Sequence, residues 1–521
     1  MSTGSVPARD SLIARFHRSA TRFPDRDAIV EGDRVVSYAE AANTARRWAG
    51  MLHALLGHPP QRVGVFAQRN AFALQAILAA QTAGAAYVPL QPGFPPARLR
   101  SMLQSAELDA LIVEEASQEI LQLTLQGLNA PPPVLCPPPA AEESSVAPLT
   151  ELSVGPDDTA YLLFTSGSTG TPKGVPIQHR SALHFVDVNQ ERYAFGPEDR
   201  FSQASALTFD LSVFDLFSAW NVGACVCLLR PIEMFAPARF VERHGLTVWF
   251  SVPSVVSTLR KKDLLRPGSM PSLRWSLFCG EALPVDSAQA WQEAAPGSTL
   301  ENLYGPTEAT VACLVYRWHA TLSPAQCLHG TVPIGSPYPG LDAIAVDEEL
   351  AAVPEGHEGE LCVGGPQVFD GYWRAPERDA EALFEREHDG RRVRFYRTGD
   401  RVRRQPGGEY VYLGRLDHQL KVQGHRVELG EVEAALRTVP GVVEAVAVGW
   451  PRSGYSVEAI TAFVTGSELY GPAVASASAE RLPRHAVPRT VHVVERLPLN
   501  ANGKFDRKEL LRKLAEAPEG P

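Results

Sequence analysis

A strand that runs into a loop of hydroxyls and glycines constrains this chain more than any other stretch. In Tyr161–Val175, YLLFTSGSTGTPKGV, the apolar run Tyr161–Phe164 stops at Thr165. It is followed by Ser166, Gly167, Ser168, Thr169, Gly170, Thr171 and Gly174, with a single cation, Lys173. Glycine lets backbone N–H groups approach an anion, hydroxyls add neutral donors and lysine adds a point charge, so the stretch suits a polyphosphate. Taken alone it would equally suit a surface turn after a buried strand. It is not a P-loop, because Gly174 follows Lys173 where a metal-holding hydroxyl would stand.

Around this loop, short β-rich runs alternate with helical patterns. Ser11–Pro24 reads as an amphipathic helix with Leu12, Phe16 and Phe23 near helical spacing. AIVEGDRVVSYAEAANTARRWAGMLHAL reads as two short strands and a long helix, and VGVFAQ as a strand with a helix before AAYVPL. Such alternation implies parallel strands joined by crossover helices. Ala130–Pro148 reads as an exposed connector of polyproline character, with an SH3-type ligand as the alternative. After VYLGR, Val411–Arg415, comes a compact segment: VELGEVEAALRTV as a helix, then VVEAVAVGW, AITAFVT and RTVHVVERL as strands.

Composition excludes several classes. With 521 residues, a formal charge of −10 and a pI near 5.8, the chain lacks the basic face that nucleic acid requires. No apolar run reaches the roughly eighteen residues of a membrane span, and MSTGSVPARD is no secretory signal, so a cytoplasmic protein is expected. Seven cysteines at an odd count with no CxxC pair read as small buried hydrophobes, and Cys225 and Cys227 as neighbours on one face of a strand.

Further motifs follow the loop in a fixed order. With Thr165–Gly174, the stretches AGAAYVPL (Ala83–Leu90), TFDLSVFDLF (Thr208–Phe217), NLYGPTEAT (Asn302–Thr310), GELCVGG (Gly359–Gly365), YRTGD (Tyr396–Asp400), GRLDHQLKVQGHRVELGEVE (Gly414–Glu433) and LPLNANGKFDR (Leu497–Arg507) resemble the motifs of the adenylate-forming superfamily. That superfamily includes amino-acid adenylation domains, acyl-CoA synthetases and luciferases, and the resemblance covers nearly the whole chain. It implies an α/β fold in which a large N-terminal lobe of mixed and parallel sheets, residues 1–416, is hinged to a small mobile α+β lobe, residues 417–521.

The resemblance also implies a site for ATP and Mg²⁺. Thr165, Ser166, Gly167, Ser168, Thr169 and Gly170 would wrap the phosphates with Lys173. Tyr304 would stack on adenine, with Asn302 and the Gly280, Glu281 and Ala282 backbone at the base edge and Thr307 nearby. Asp400 would accept from the ribose hydroxyls, Arg415 would reach ribose or phosphate, and Glu308 would ligate Mg²⁺. Lys504 matches the lysine that bridges the substrate carboxylate and the nucleotide during adenylation. After that step the small lobe would turn about Asp417, Lys504 would leave, and Lys421–Arg426, led by Gly424, would enter to admit a thiol.

Asp210 separates amino acids from other acids. Phe209, Val213 and Phe217 repeat at helical spacing around it, where a carboxylate is costly to bury unless it meets a cation. An N-capping or solvent-facing aspartate is the alternative; Asp215 reads as structural. In amino-acid adenylating enzymes the matching aspartate holds the α-ammonium. Carried over position by position, the pocket is Asp210, Leu211, Phe214, Phe250, Leu277, Cys279, Leu303, Val311 and Ala312, completed by Lys504; Phe250 lies in a stretch with no anchoring motif. The wall between the charged ends is apolar and would cost a polar substrate its hydrogen bonds. The set is similar to that of stand-alone prolyl adenylating enzymes, departing at Phe214, Phe250, Cys279 and Ala312, with valine, leucine and pipecolate as alternatives to L-proline. The chain ends soon after Arg507, and no condensation-type motif is found, so a free-standing enzyme is expected, passing its aminoacyl group to the phosphopantetheine thiol of a separate carrier protein. An acyl- or aryl-CoA ligase and an inactive nucleotide-binding regulator are the competing readings.

Overall fold

The computed structural model describes residues 10–138, 147, 149, 154–166, 172–417, 419–453, 455–499 and 505–516. Gly167, Ser168, Thr169, Gly170 and Lys504 therefore lie outside the described residues.

The N-terminal part behaves as its sequence suggests. The Ser11 hydroxyl accepts from Ala14 N–H and caps helix Leu12–Arg22, whose Leu12, Ile13 and Phe16 are buried. Strands Asp27–Glu31 and Arg34–Ser37 lead into helix Tyr38–Leu56, capped by Ser37 and closed by left-handed Gly57. Helix Ala71–Thr82 is buried at every position but Phe72, so its sequence shows no polar face.

Two large sheets make up most of the N-terminal lobe. In the nine-stranded sheet, Thr299–Tyr304, Trp275–Phe278, Val248–Ser251, Arg200–Gln203, Cys225–Leu228 and Asp27–Glu31 lie parallel in that order; antiparallel strands finish both edges. The six-stranded sheet orders Val134–Leu135, Ala110–Val113, Arg62–Phe66, Ala86–Leu90, Thr159–Thr165 and Lys173–Gln178, the first five parallel and the last antiparallel. The proline-rich connector thus contributes an edge strand, the one place in a sheet where flanking prolines forfeit no ladder bond. One hydrophobic core joins the sheets, from Ile29 and Val226 to Tyr87 and Ile177. A five-stranded antiparallel sheet, with Arg391–Arg404 at its centre, completes the lobe.

The C-terminal lobe has its own core of Val422, Val427, Leu436, Ala445, Ile460 and Val464. Val442–Gly449, Ile460–Gly466 and Thr490–Val493 form a three-stranded sheet; hairpin Gln419–Val422/His425–Glu428 belongs to another. The helix expected from Val427 begins at Leu429, because Val427 and Glu428 still pair with Leu420 and Gln419. A second departure lies at Asp210. The helix starts at Leu211, widens into a π turn over Phe214–Ser218 and resumes at Ala219–Val222, so Phe209, Val213 and Phe217 do not share one regular helical face. π turns often occur where a side chain must be re-aimed at a site. Among the described residues, no helix is long and apolar enough to cross a membrane.

Candidate active site

The site lies at the carboxyl ends of the parallel strands Val248–Ser251, Trp275–Phe278 and Thr299–Tyr304, where open α/β sheets gather their ligands. The hairpin carrying Lys421 and Arg426 is laid across it. At the hairpin tip Gly424 (φ +82°) donates its N–H to Glu281 Oε1 at 2.8 Å, and Glu281 Oε2 accepts from Ser254 N–H at 2.8 Å. A Cβ on Gly424 would stand 2.4 Å from Val252 Cγ1, so both the backbone angle and the approach demand glycine. Lys421 Nζ sits 5.6 Å from the centre of the Tyr304 ring.

Glu308 is the electrostatic centre. Fully buried, it accepts from Tyr372 Oη at 2.7 Å and faces two cations, Lys173 Nζ at 3.3 Å and Arg426 Nη1 at 3.0 and 3.2 Å from its two oxygens. Burial alone would raise its pKa, but Arg426 and then Lys173 hold it well below the carboxylate range. Burial, reinforced by Arg426, lowers Lys173 to about 8. Ser166 Oγ, at the start of the phosphate loop, donates to the Arg426 carbonyl at 2.7 Å.

The residues expected around the nucleotide come together. Tyr304 donates its hydroxyl to Asp400, which also takes Arg415 Nη1 at 3.0 Å. Arg415 in turn pairs with Asp417 at 2.6 Å. Asn302 gives its amide nitrogen to the Pro333 carbonyl at 2.8 Å, while its Oδ1 is buried without a donor. A buried acceptor with no donor among the described residues, next in sequence to the cavity-lining Leu303 and Tyr304, fits the exocyclic amine of adenine. Gly280 and Ala282 line a cavity with Tyr304, and from the small lobe Tyr455 lines it too, its ring 5.8 Å from Tyr412 and 5.9 Å from His329.

Asp210 points inward. It occupies the N-cap position but makes no capping bond, is 3% exposed, and lines the cavity beside Thr307 and Lys421. Burial raises its pKa to about 7, opposed by a hydrogen bond from Thr307 and the charge of Lys421. Leu211 shares the cavity wall. Phe214, Phe250, Leu277, Cys279, Leu303, Val311 and Ala312 are buried in the one core cluster behind it, with the Phe214 and Phe250 rings 4.7 Å apart. Phe250 pairs with Leu277 across neighbouring strands and lies with it in that core cluster.

The AMP-binding enzyme model matches residues 16–373, and the model for the C-terminal domain of AMP-binding enzymes matches 431–504. The chain belongs to the AMP-binding enzyme family. It is 35% identical to the L-proline–[L-prolyl-carrier protein] ligase of Pseudomonas fluorescens, over 96% of this chain and 99% of that one. Among solved structures, IdnL7 shares 42% identity at a TM-score of 0.71, covering 98% and 99% of the two chains. The Vibrio cholerae adenylation domain AlmE, solved with glycyl-adenosine-5'-phosphate, superposes at 0.84 with 28% identity over 99% and 100%.

Two features of this AMP-binding enzyme escaped sequence reading. Thr310 (φ +58°) and Val311 (φ +68°) are both left-handed, a costly backbone for β-branched residues. Gln367 holds that loop by donating Nε2 to the Ala312 carbonyl at 2.8 Å and the Ala309 carbonyl at 3.2 Å, while Thr310 Oγ1 donates to the Gln367 carbonyl at 2.7 Å. The only hint was its place two residues after GELCVGG. Glu281, whose backbone was expected at the base edge, uses its side chain to clamp Gly424, and nothing in either stretch announced that pairing.

Proposed function

We propose that this enzyme activates L-proline as prolyl-AMP and passes the prolyl group to the phosphopantetheine thiol of a separate carrier protein. The observation that carries the reading is Asp210, a buried carboxylate that lines a cavity backed by apolar side chains and shared with Lys421. A secondary ammonium would give Asp210 a direct ionic partner there, and a compact ring brings no polar group of its own for the apolar side chains behind it to satisfy. Near full-length similarity to a prolyl-carrier ligase supports the same substrate.

In this reading Tyr304 and Asn302 position the base, Asp400 and Arg415 the ribose, and Thr165, Ser166, Lys173 and the residues from Gly167 to Gly170 the phosphates. Glu308 would hold Mg²⁺. Mg²⁺ commonly takes one or two carboxylates and completes its shell with water and phosphate oxygens, so a single buried carboxylate at the phosphate loop fits. When bound, the ion neutralises the triphosphate. Lys504 would bridge carboxylate and phosphate in the first step. The contacts of Gly424 with Phe209, Val252 and Glu281 support reading this orientation as that of the second step, in which residues 417–521 would be the moving unit and Asp417 the pivot.

A pyrophosphate-exchange screen over the twenty amino acids and pipecolate tests the assignment: exchange strongest with L-proline is expected, and exchange with valine but none with proline overturns it. Asp210→Asn should lower kcat/KM for proline by roughly a hundredfold or more, since breaking a buried ion pair costs about 3–5 kcal/mol.

A further inference from the structure

The turn that follows Glu308 is bent against the preference of its own residues. Thr310 and Val311 carry φ of +58° and +68°, and the Ala312 N–H returns to the Thr310 carbonyl at 2.8 Å, the hydrogen bond and positive φ of the rare, strained form of γ-turn. A β-branched residue keeps such a backbone only where its surroundings impose it. Gln367 imposes it. Its side chain is fully buried, and Nε2 faces the carbonyls of Ala312 at 2.8 Å, Ala309 at 3.2 Å and Thr310 at 3.4 Å, three acceptors for the two hydrogens of one amide. Oε1 can only accept, so His184 Nδ1, from helix His179–Tyr193, donates to it at 3.0 Å and keeps the amide from turning over.

The turn stands directly behind the cavity that Asp210 lines. Gly305 lines that cavity too, and a Cβ built on it would stand 2.6 Å from Ala312 Cα and 2.7 Å from the Val311 carbonyl oxygen. The same carbonyl takes Cys279 Sγ at 3.8 Å. We propose that Gln367, oriented by His184, is a positioning residue for substrate discrimination, holding the Val311 turn in place as the back of the amino-acid pocket. This rests on the proposed pocket, of which Val311 and Ala312 form part. A strained turn relaxes when its brace is removed: Val311 leaves the left-handed region, its carbonyl and the Ala312 backbone shift against Gly305, and the wall behind the substrate loses its fixed depth. One methylene in an apolar pocket is worth about 10–200-fold in kcat/KM, and only while the wall does not give. Glu308 keeps its place without Gln367, through Lys173, Tyr372 and the Phe369 N–H on its carbonyl at 2.9 Å. Tyr304 and Arg415 are likewise held by Asp400. The loss therefore falls on the choice of amino acid and spares ATP.

The test is pyrophosphate exchange by the full chain with each of the twenty amino acids and pipecolate, in wild type, Gln367→Met and His184→Phe. Gln367→Met keeps the length of the side chain and removes its donors. Its kcat/KM ratio of proline to pipecolate should fall about tenfold through a higher KM for proline, with KM for ATP within about twofold of wild type. His184→Phe, which keeps the ring and loses the donor, should shift the ratio the same way by less, and serves if the methionine variant does not fold. Melting separates a brace from mere filling: in a Val311→Gly background, where glycine accepts the left-handed backbone without strain, Gln367→Met should lower Tm by less than half as much as it does in wild type. An amino-acid profile superimposable on that of wild type, a KM for ATP that rises as far as KM for proline, or an equal loss of Tm in both backgrounds overturns the proposal. A wild-type profile headed by another amino acid overturns the proline assignment alone, because the ratio is then read from that amino acid and its next larger homologue.

Discussion

At the scale of single residues, Asp210 is held in a state that costs the folded protein and, in the proposed reading, would serve the substrate. Its carboxyl titrates near 7 because it is buried, with the Thr307 hydrogen bond and Lys421 only partly compensating. Two opposite pH trends follow. The α-ammonium needs the ionised form, so KM for the amino acid should be roughly tenfold higher at pH 6 than at pH 8, with little such change in Asp210→Asn. A carboxyl whose folded pKa exceeds its unfolded value of 3.8 stabilises the fold below that lower value and loses the contribution as pH rises through about 7. Unliganded wild type should therefore have a lower Tm relative to Asp210→Asn at pH 8 than at pH 5. A Tm difference that is flat across this range, or that runs the other way, would mean the acid is solvated. Asp210 was legible in the sequence because a charge among aromatics demands a partner. The left-handed Val311 and its Gln367 brace were not, because backbone strain leaves no mark in side-chain pattern.

At the scale of elements, the lobes meet through helix Pro96–Ala106 and helix Leu429–Arg437. Arg98 and Glu431, each under a tenth exposed, form an ion pair between them. Beside it the His425 and His485 rings stack at 3.8 Å, and burial keeps both far below their usual pKa. Removing one member of a buried pair strands the other, at about 3–5 kcal/mol, whereas replacing both with apolar groups can be neutral. Arg98→Met or Glu431→Leu alone should thus open the interface to limited proteolysis at the 413–420 connection, and the double variant should be protected more than either single one. Greater exposure in the double variant would assign the pair a purely surface role. Helices such as the one read over Ser11–Pro24 were readable from periodicity, and strands from alternation with them. These contacts were not, for they join residues 333 apart in the chain through the placement of two bodies that no local pattern encodes.

At the scale of the whole molecule, the observed arrangement is one of the two that the proposed chemistry needs, and it can be trapped. Lys261 of the large lobe pairs with Glu458 of the small one at the surface. Lys261→Cys/Glu458→Cys, with exposed Cys136 replaced by serine and the new thiols joined by a short bismaleimide, should lose pyrophosphate exchange yet still transfer from supplied prolyl-AMP. Retention of both activities by the tethered protein would show that turnover needs no swing between lobes. The Tyr455 contact carries the same point into timing. With that ring beside His329 and Tyr412 and lining the cavity, the spent nucleotide would, in the proposed reading, have to leave past the small lobe after the thioester has formed. Its escape would then wait on the return stroke of the proposed cycle, and the turnover clock would be set by a hinge rather than by a bond.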